Sequence, residues 1–214
     1  MIPKVIYMSH KYLDKITNYS QNWKLLNPEY EIKLYDDAMC VQFLLQYYSP
    51  LHAKIFNFIK DGPIKCDFWR VCIINTFGGL YVDADIEPLC PLEEYIEDDD
   101  EFVTCISSNF YNTKTEWNLN PHFIMSYKNN NILQKCIDQY INYYNNKKPY
   151  KYWDWSVCRI FYIANVKDKK SQIIYVTGKK HKFLLELANG NDCEYNGTIV
   201  LHNRYSNYVN HNFK

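Results

Sequence analysis

Residues 61–91 read DGPIKCDFWRVCIINTFGGLYVDADIEPLCP, and the rest of the chain is organised around this stretch. Gly62 and Pro63 open a helix, because proline suits a first turn in which its missing N–H leaves no bond unmade. Ile64, Phe68, Val71, Cys72 and Asn75 recur at helical spacing, and Asp67 and Arg70 stand three residues apart on one side. Gly78-Gly79 stops the helix, and Leu80-Tyr81-Val82 is a short strand that delivers Asp83-Ala84-Asp85. Two carboxylates at i and i+2 of an extended backbone project to one face, where both reach a single hard cation or its bound water.

A D-x-D in isolation is more often a solvated turn or cap than a site. Here it follows an apolar run, and the glycine pair lets the backbone turn tightly just before it. An Asp67–Arg70 pair taken alone reads as a surface ion pair of little worth. Together, however, Asp67, Arg70, Gly78-Gly79, Tyr81, Asp83 and Asp85 resemble the D-x-x-R, G-G-x-Y-x-D-x-D signature of DXD-containing sugar-nucleotide glycosyltransferases. The group resembled is glycosyltransferase family 32, which includes fungal initiating mannosyltransferases and bacterial capsule enzymes; the clostridial glucosylating toxins are a more distant likeness.

Composition sets the bounds. At 214 residues, one domain with a sizeable core over 1–214 is expected. Lys+Arg and Asp+Glu balance at 24 each, so no global field favours nucleic acid or an anionic membrane surface. No apolar run approaches the roughly 20 residues of a membrane span, and MIPKVIYMSH is too soon polar for a signal peptide. The 8 cysteines form no C-x-x-C or other zinc-like spacing. Cys66, Cys72 and Cys105 read as small buried hydrophobes, which suits a reducing compartment and a soluble, cytoplasmic protein. The 21 tyrosines are read mostly as packing.

Along the chain, Lys4–Met8 reads as a buried first strand, residues 20–26 as a helix stopped before Asn27-Pro28, and Glu31–Tyr35 as a second strand. Asp36-Asp37 caps a helix running to about Tyr47, and residues 51–59 form another helix. Residues 86–92 read as a proline-broken connector, and EDDDE at 97–101 as a solvated acidic loop. Further expectations are a strand at 102–106, a polar loop over 107–118, a strand at 121–126 and an amphipathic helix over 132–144. Trp153, Asp154 and Trp155 stand as an aromatic wall or as core packing. Late strands fall at 172–176 and at 198–201, the latter ending at His202.

The resemblance extends beyond the motif. IPKVIYMSHK resembles the family's I-P-K-x-I-H opening, with Tyr7 in place of histidine; it implies nucleotide-base contacts from Tyr7, Met8 or Ser9. SQNWKLLNPEYEIKLYDD and NLNPHFIMSYKNNNIL resemble two further segments, the second implying a sugar-pocket asparagine at Asn118 or Asn120. IVLHNRYSNY resembles the closing H-x-W-x-x-S-W, which implies His202 as third metal ligand and Ser206 or Arg204 as phosphate contacts.

The fold implied is α/β, of the nucleotide-diphosphosugar transferase type called GT-A, with a mixed central sheet flanked by helices. The implied reaction moves a sugar from a UDP- or GDP-sugar to a glycan or protein acceptor, with retention. Catalytic candidates are Asp83, Asp85, Asp67 and Arg70; Asp67 and Arg70 would read sugar hydroxyls and phosphate and grip the transferred sugar, and Tyr81 and Asp83 join them in the substrate-binding set; Asp83 and Asp85 hold Mn2+ or Mg2+, with Asp85 the direct ligand. A metal cation held by carboxylates would offset the charge of a leaving diphosphate. A metal-dependent phosphohydrolase or nucleotidyltransferase would use the same aspartates but needs further carboxylate or histidine ligands nearby. A non-catalytic sugar-binding relic is the third reading.

Overall fold

Apolar residues alternate along the inner strands and so define two buried faces of one sheet. Tyr7, Tyr81, Phe102 and Ile124 join one apolar cluster; Ile6, Met8, Leu80, Val82, Val103 and Phe123 join the other. The computed structural model describes residues 1–107, 119–165 and 180–203. Its strands are β1 (Val5–Ser9), β2 (Glu31–Tyr35), β3 (Gly79–Val82), β4 (Ile86–Pro88), β5 (Phe102–Ser107), β6 (Leu119–Ser126), β7 (His181–Glu186), β8 (Asp192–Tyr195) and β9 (Thr198–Asn203). Among the described residues they form a single mixed sheet in the order β2-β1-β3-β6-β5-β7-β8-β9-β4. Pairing is parallel for β2-β1-β3 and for β5-β7, and antiparallel elsewhere.

The helices are α1 (Leu13–Leu26), α2 (Asp37–Tyr47), α3 (Pro50–Phe58), α4 (Gly62–Phe77), α5 (Asn131–Asn145), the one-turn α6 (Tyr152–Trp155) and α7 (Val157–Asn165). Helices α2 to α5 and α7 cover the first face and α1 supports the second. Helix α2 starts as its sequence dictates, with the Asp36 side chain accepting from Met39 N at 2.7 Å. Helix α4 is apolar almost all round and lies buried, Trp69 and Ile73 included, rather than presenting the one apolar stripe expected of it. It ends at Gly78, whose φ of +71° and Gly79's φ of +101° are accessible at low strain only to glycine. A Cβ on Gly79 would sit 2.7 Å from Val5 O, so the turn into β3 also needs the missing side chain for close approach to β1.

Several expectations are corrected. The connector at 86–92 contains β4, which pairs with β9; Pro88 is tolerated because β4 is an edge strand. In EDDDE, Asp100 is buried: it accepts from Glu97 N at 2.8 Å and meets Lys182 Nζ at 2.8 Å. Helix α1 begins seven residues earlier than the sequence signals suggest, at Leu13. Trp155 and Trp153 do not share a wall, because the first is fully buried and the second exposed. Strands β7 and β8 were not anticipated. The loop at 108–118 and the strand expected at 172–176 lie outside the described residues. No helix among the described residues is long and apolar enough to cross a membrane.

Candidate active site

Parallel β1 and β3 lie side by side, and their carboxyl ends open into a cleft of about 470 Å³. This is where open α/β sheets place ligands. Ser9 and His10 line it from the end of β1, Gly62 and Pro63 from the start of α4, and Asp83 and Asp85 from the segment after β3. The D-A-D segment is not extended. Ile86 N donates to Asp83 O at 3.1 Å, closing a turn, and Asp83 N donates to His122 O at 2.9 Å, which ties that turn to β6. Both carboxylates reach the cleft through turn geometry rather than strand alternation.

The two aspartates are held differently. Asp83 Oδ1 lies 2.8 Å from Arg70 Nη2 and accepts from the Tyr81 hydroxyl at 2.8 Å. Asp85 has no ion pair among the described residues. Burial pushes its carboxyl up to about 6, the negative Asp83 adding to the effect, while its own backbone N–H, His122 and Arg70 act the other way. It is therefore the acidic group in the cleft with most to gain from a cation.

Arg70 is the hub. Its Nε donates to Cys66 O at 3.4 Å, Nη1 to Pro121 O at 2.7 Å and to Asp83 Oδ2 at 3.4 Å, and Nη2 meets Asp67 Oδ1 at 2.9 Å. The guanidinium also lies over the Tyr81 ring, 4.5 Å from its centroid. With its five N–H groups so engaged, Arg70 offers no free fork to a phosphate, contrary to the role drawn from the sequence. Asp67 is buried, its Oδ2 accepting from Val157 N at the start of α7 at 2.9 Å. Burial pushes its carboxyl up to about 6, against the opposing pull of Arg70 and of the Val157 N–H. Asp67 and Arg70 thus position Asp83 and α7; Arg70 borders the cleft, whereas Asp67 is not part of its lining.

The remaining candidates scatter. Tyr81 lines the cleft and orients Asp83. Ser9 lines it too, its hydroxyl donating to Cys66 Sγ at 3.1 Å. Tyr7 does not: its ring is buried against Phe77 and Tyr35, because a tyrosine at that strand position points into the helical face. Asn120 lies beyond the cleft lining, its Nδ2 donating to Glu186 Oε2 at 3.0 Å. His202 sits on β9 opposite Glu87, its Nδ1 2.6 Å from Asp192 Oδ1. It is not gathered with Asp83 and Asp85: among the described residues no third His, Cys, Asp or Glu joins the two aspartates in a group with its donor atoms all within 4.8 Å. Ser206, Arg204 and Asn118 lie outside the described residues.

Sequence reasoning missed three lysines and one tyrosine of the lining, Lys11, Lys60, Lys65 and Tyr152. Lys65 is paired with Asp37 at 3.4 Å. Nothing in the local pattern of these residues separates them from ordinary surface positions; only the fold brings them together.

Residues 14–103 match the family model described as a glycosyltransferase sugar-binding region containing a DXD motif. An initiation-specific alpha-1,6-mannosyltransferase of Candida albicans is 35% identical over 80 residues, 36% of this chain and 21% of that protein. A mannosyl phosphorylinositol ceramide synthase of Saccharomyces cerevisiae is 29% identical over 92 residues, 40% of this chain and 23% of that protein. The chain thus spans less than a quarter of the length of these two relatives. A solved structure, PaToxG glycosyltransferase, superposes with a TM-score of 0.59 at 14% identity, covering 79% of this chain and 70% of that one, and shows the shared GT-A type of fold. With the D-A-D turn set at the mouth of β3, residues 14–103, under half of this chain, are similar to the glycosyltransferase sugar-binding region that contains a DXD motif.

Proposed function

We propose that the chain transfers a sugar from a nucleotide diphosphosugar, of the UDP or GDP class, to a glycan or protein acceptor, with retention of configuration. The observation that carries this reading is the pairing of an anchored Asp83 with an Asp85 that has no ion pair among the described residues, on a turn that opens into the cleft. Oxygen donors of this kind suit a hard cation, and the charge of Asp85, costly where it stands, is what such a cation would offset. Asp85, with Asp83 beside it, would hold Mn2+ or Mg2+; the ion's contribution when bound is to neutralise the diphosphate as the sugar leaves.

The protein's own groups supply the rest. Lys11 and Lys60 line the cleft as cations, and the start of the sixteen-residue α4 opens into it, so a diphosphate would meet positive potential from two sides. The carboxylates of the lining are committed, Asp37 to Lys65 and Asp83 to Arg70, with Asp85 reserved for the cation. That leaves no assigned carboxylate nucleophile and supports retention by attack on the face from which the diphosphate departs. Among the described residues no third acidic or histidine donor joins the two aspartates, which weighs against a metallophosphohydrolase, since that needs more ligands. All eight cysteines are free, in keeping with a cytoplasmic, reducing setting.

The test is thermal melting against UDP- and GDP-sugars with and without Mn2+, followed by NMR of the anomeric product. A cation-dependent rise in melting temperature for one donor supports the reading. No shift with any donor, or release of free sugar phosphate in place of a glycoside, overturns it.

A further inference from the structure

We propose that Cys105, His122 and Cys193 bind a zinc ion behind the D-A-D turn. The three come from β5, β6 and β8, are separated widely in sequence, and are all buried, yet their ligand atoms lie within 4.8 Å of one another. His122 Nε2 stands 3.4 Å from Cys193 Sγ. Tetrahedral zinc with Zn–S near 2.3 Å and Zn–N near 2.0–2.1 Å places such a sulfur and nitrogen about 3.6 Å apart, and two sulfurs about 3.8 Å apart.

Regular strands would not produce this convergence. Strand β7 lies between the two cysteines, with Cys105 opposite Leu184 and Cys193 opposite Glu186. The ladder is broken at both cysteines, between Thr104 and Cys105 against β6 and between Cys193 and Glu194 against β9. Across the first break, residues 121–123 of β6 have no partner on β5, and His122 lies in this gap. Irregularities of this kind re-aim side chains, and here they aim two thiols and an imidazole at one point. Glu186, the cross-strand partner of Cys193, accepts from Asn120 and lies outside the group of three, so the fourth donor is a water that Glu186 can hold.

Thiolate and imidazole are softer donors than the carboxylates of the D-A-D turn, so this centre selects zinc where the turn suits Mn2+ or Mg2+. Its place in the fold gives it a role. His122 O accepts the Asp83 N–H, and Pro121 O accepts from Arg70. A metal on the His122 side chain fixes the β6 segment whose carbonyls position both residues. The proposal holds whether or not the cleft transfers sugar.

The experiment is elemental analysis of the purified, reduced full-length chain, with Co2+ substitution read by thiolate-to-metal charge-transfer absorption. About one zinc per chain is expected, together with the cobalt band and a melting temperature that falls on treatment with a strong chelator. Cys193→Ser and Cys105→Ser lower zinc affinity tenfold or more, whereas Cys136→Ser, buried on the opposite face, and Asp85→Asn keep the zinc. A folded wild-type chain that takes up neither Zn2+ nor Co2+ overturns the proposal even if the serine variants fail to fold. So does serine-variant affinity equal to wild type, or a Cys105–Cys193 disulfide found by mass in the native protein.

Discussion

Arg70 Nη2 bridges Asp67 Oδ1 at 2.9 Å and Asp83 Oδ1 at 2.8 Å, so one guanidinium fastens the middle of α4 to the first aspartate of the D-A-D turn. The bridge is buried, and a buried charge that loses its partner is far more damaging than one whose pair is replaced whole. Arg70→Met leaves Asp67 and Asp83 uncompensated and is expected to lower stability by about 3–5 kcal/mol, read by urea unfolding. Arg70→Lys keeps the charge but loses the forked geometry, and should fall between wild type and Arg70→Met.

Asp83 and Asp85 should separate in their effects. Asp85 carries a carboxyl pushed up to about 6 and has no ion pair among the described residues, so Asp85→Asn removes a strained charge and leaves stability unchanged or raised by about 1 kcal/mol. The same variant should abolish any Mn2+-dependent melting shift and cut turnover about a hundredfold or more. Asp83→Asn weakens the acceptor for both Arg70 and Tyr81, and should lose stability by about 1–3 kcal/mol as well as activity. Melting and turnover on the two variants side by side decide whether the roles divide in this way.

The turn that sets up the site is equally open to test. Gly79→Ala places a Cβ 2.7 Å from Val5 O at a φ of +101°, a conformation that costs an L residue about 1–3 kcal/mol before the clash is counted. Chemical unfolding should show a loss of at least about 2 kcal/mol. Gly62→Ala, where a Cβ meets nothing within 4 Å, serves as the benign control.

The sequence made the α4–β3 unit legible because each boundary carries its own local cause: Pro63 starts it, the glycine pair stops it, and the apolar run after that can only be a strand. Strands β1 and β2, the Asp36 cap and the amphipathic α5 were legible for the same reason. Strands β7 and β8 were not, because HKFLLE and DCEY mix polar with apolar residues at half-buried positions, and the hairpin they make joins the sheet through the pairing of β7 with β5, far earlier in the chain. At the site, the motif located Asp83 and Asp85 but not their division of labour. That division depends on Arg70 being saturated by Asp67, Pro121 O and Cys66 O, contacts that no spacing reveals. Tyr7 failed for a related reason: its place on a strand is local, but the burial of its face is set by helices that come later.

Asp67 gives a pH signature with a definite sign. Burial raises its carboxyl from 3.8 to about 6 in the folded chain, against the pull of Arg70 and Val157 N–H. Between these values the folded chain holds a proton that the unfolded chain has released. This group therefore favours folding fully below about pH 4, and its contribution is lost as the pH rises through 6. The slope is at most about 1.4 kcal/mol per pH unit, or roughly 3 kcal/mol over the window. Asp67→Asn removes the titrating group but leaves an oxygen able to accept from Val157 N. Its stability relative to wild type should therefore improve as pH is raised from 4 to 6 and stay level above 7. Unfolding midpoints of the two chains across that range supply the measurement; a constant difference from pH 4 to 7 would show that the Asp67–Arg70 pair stays ionised throughout.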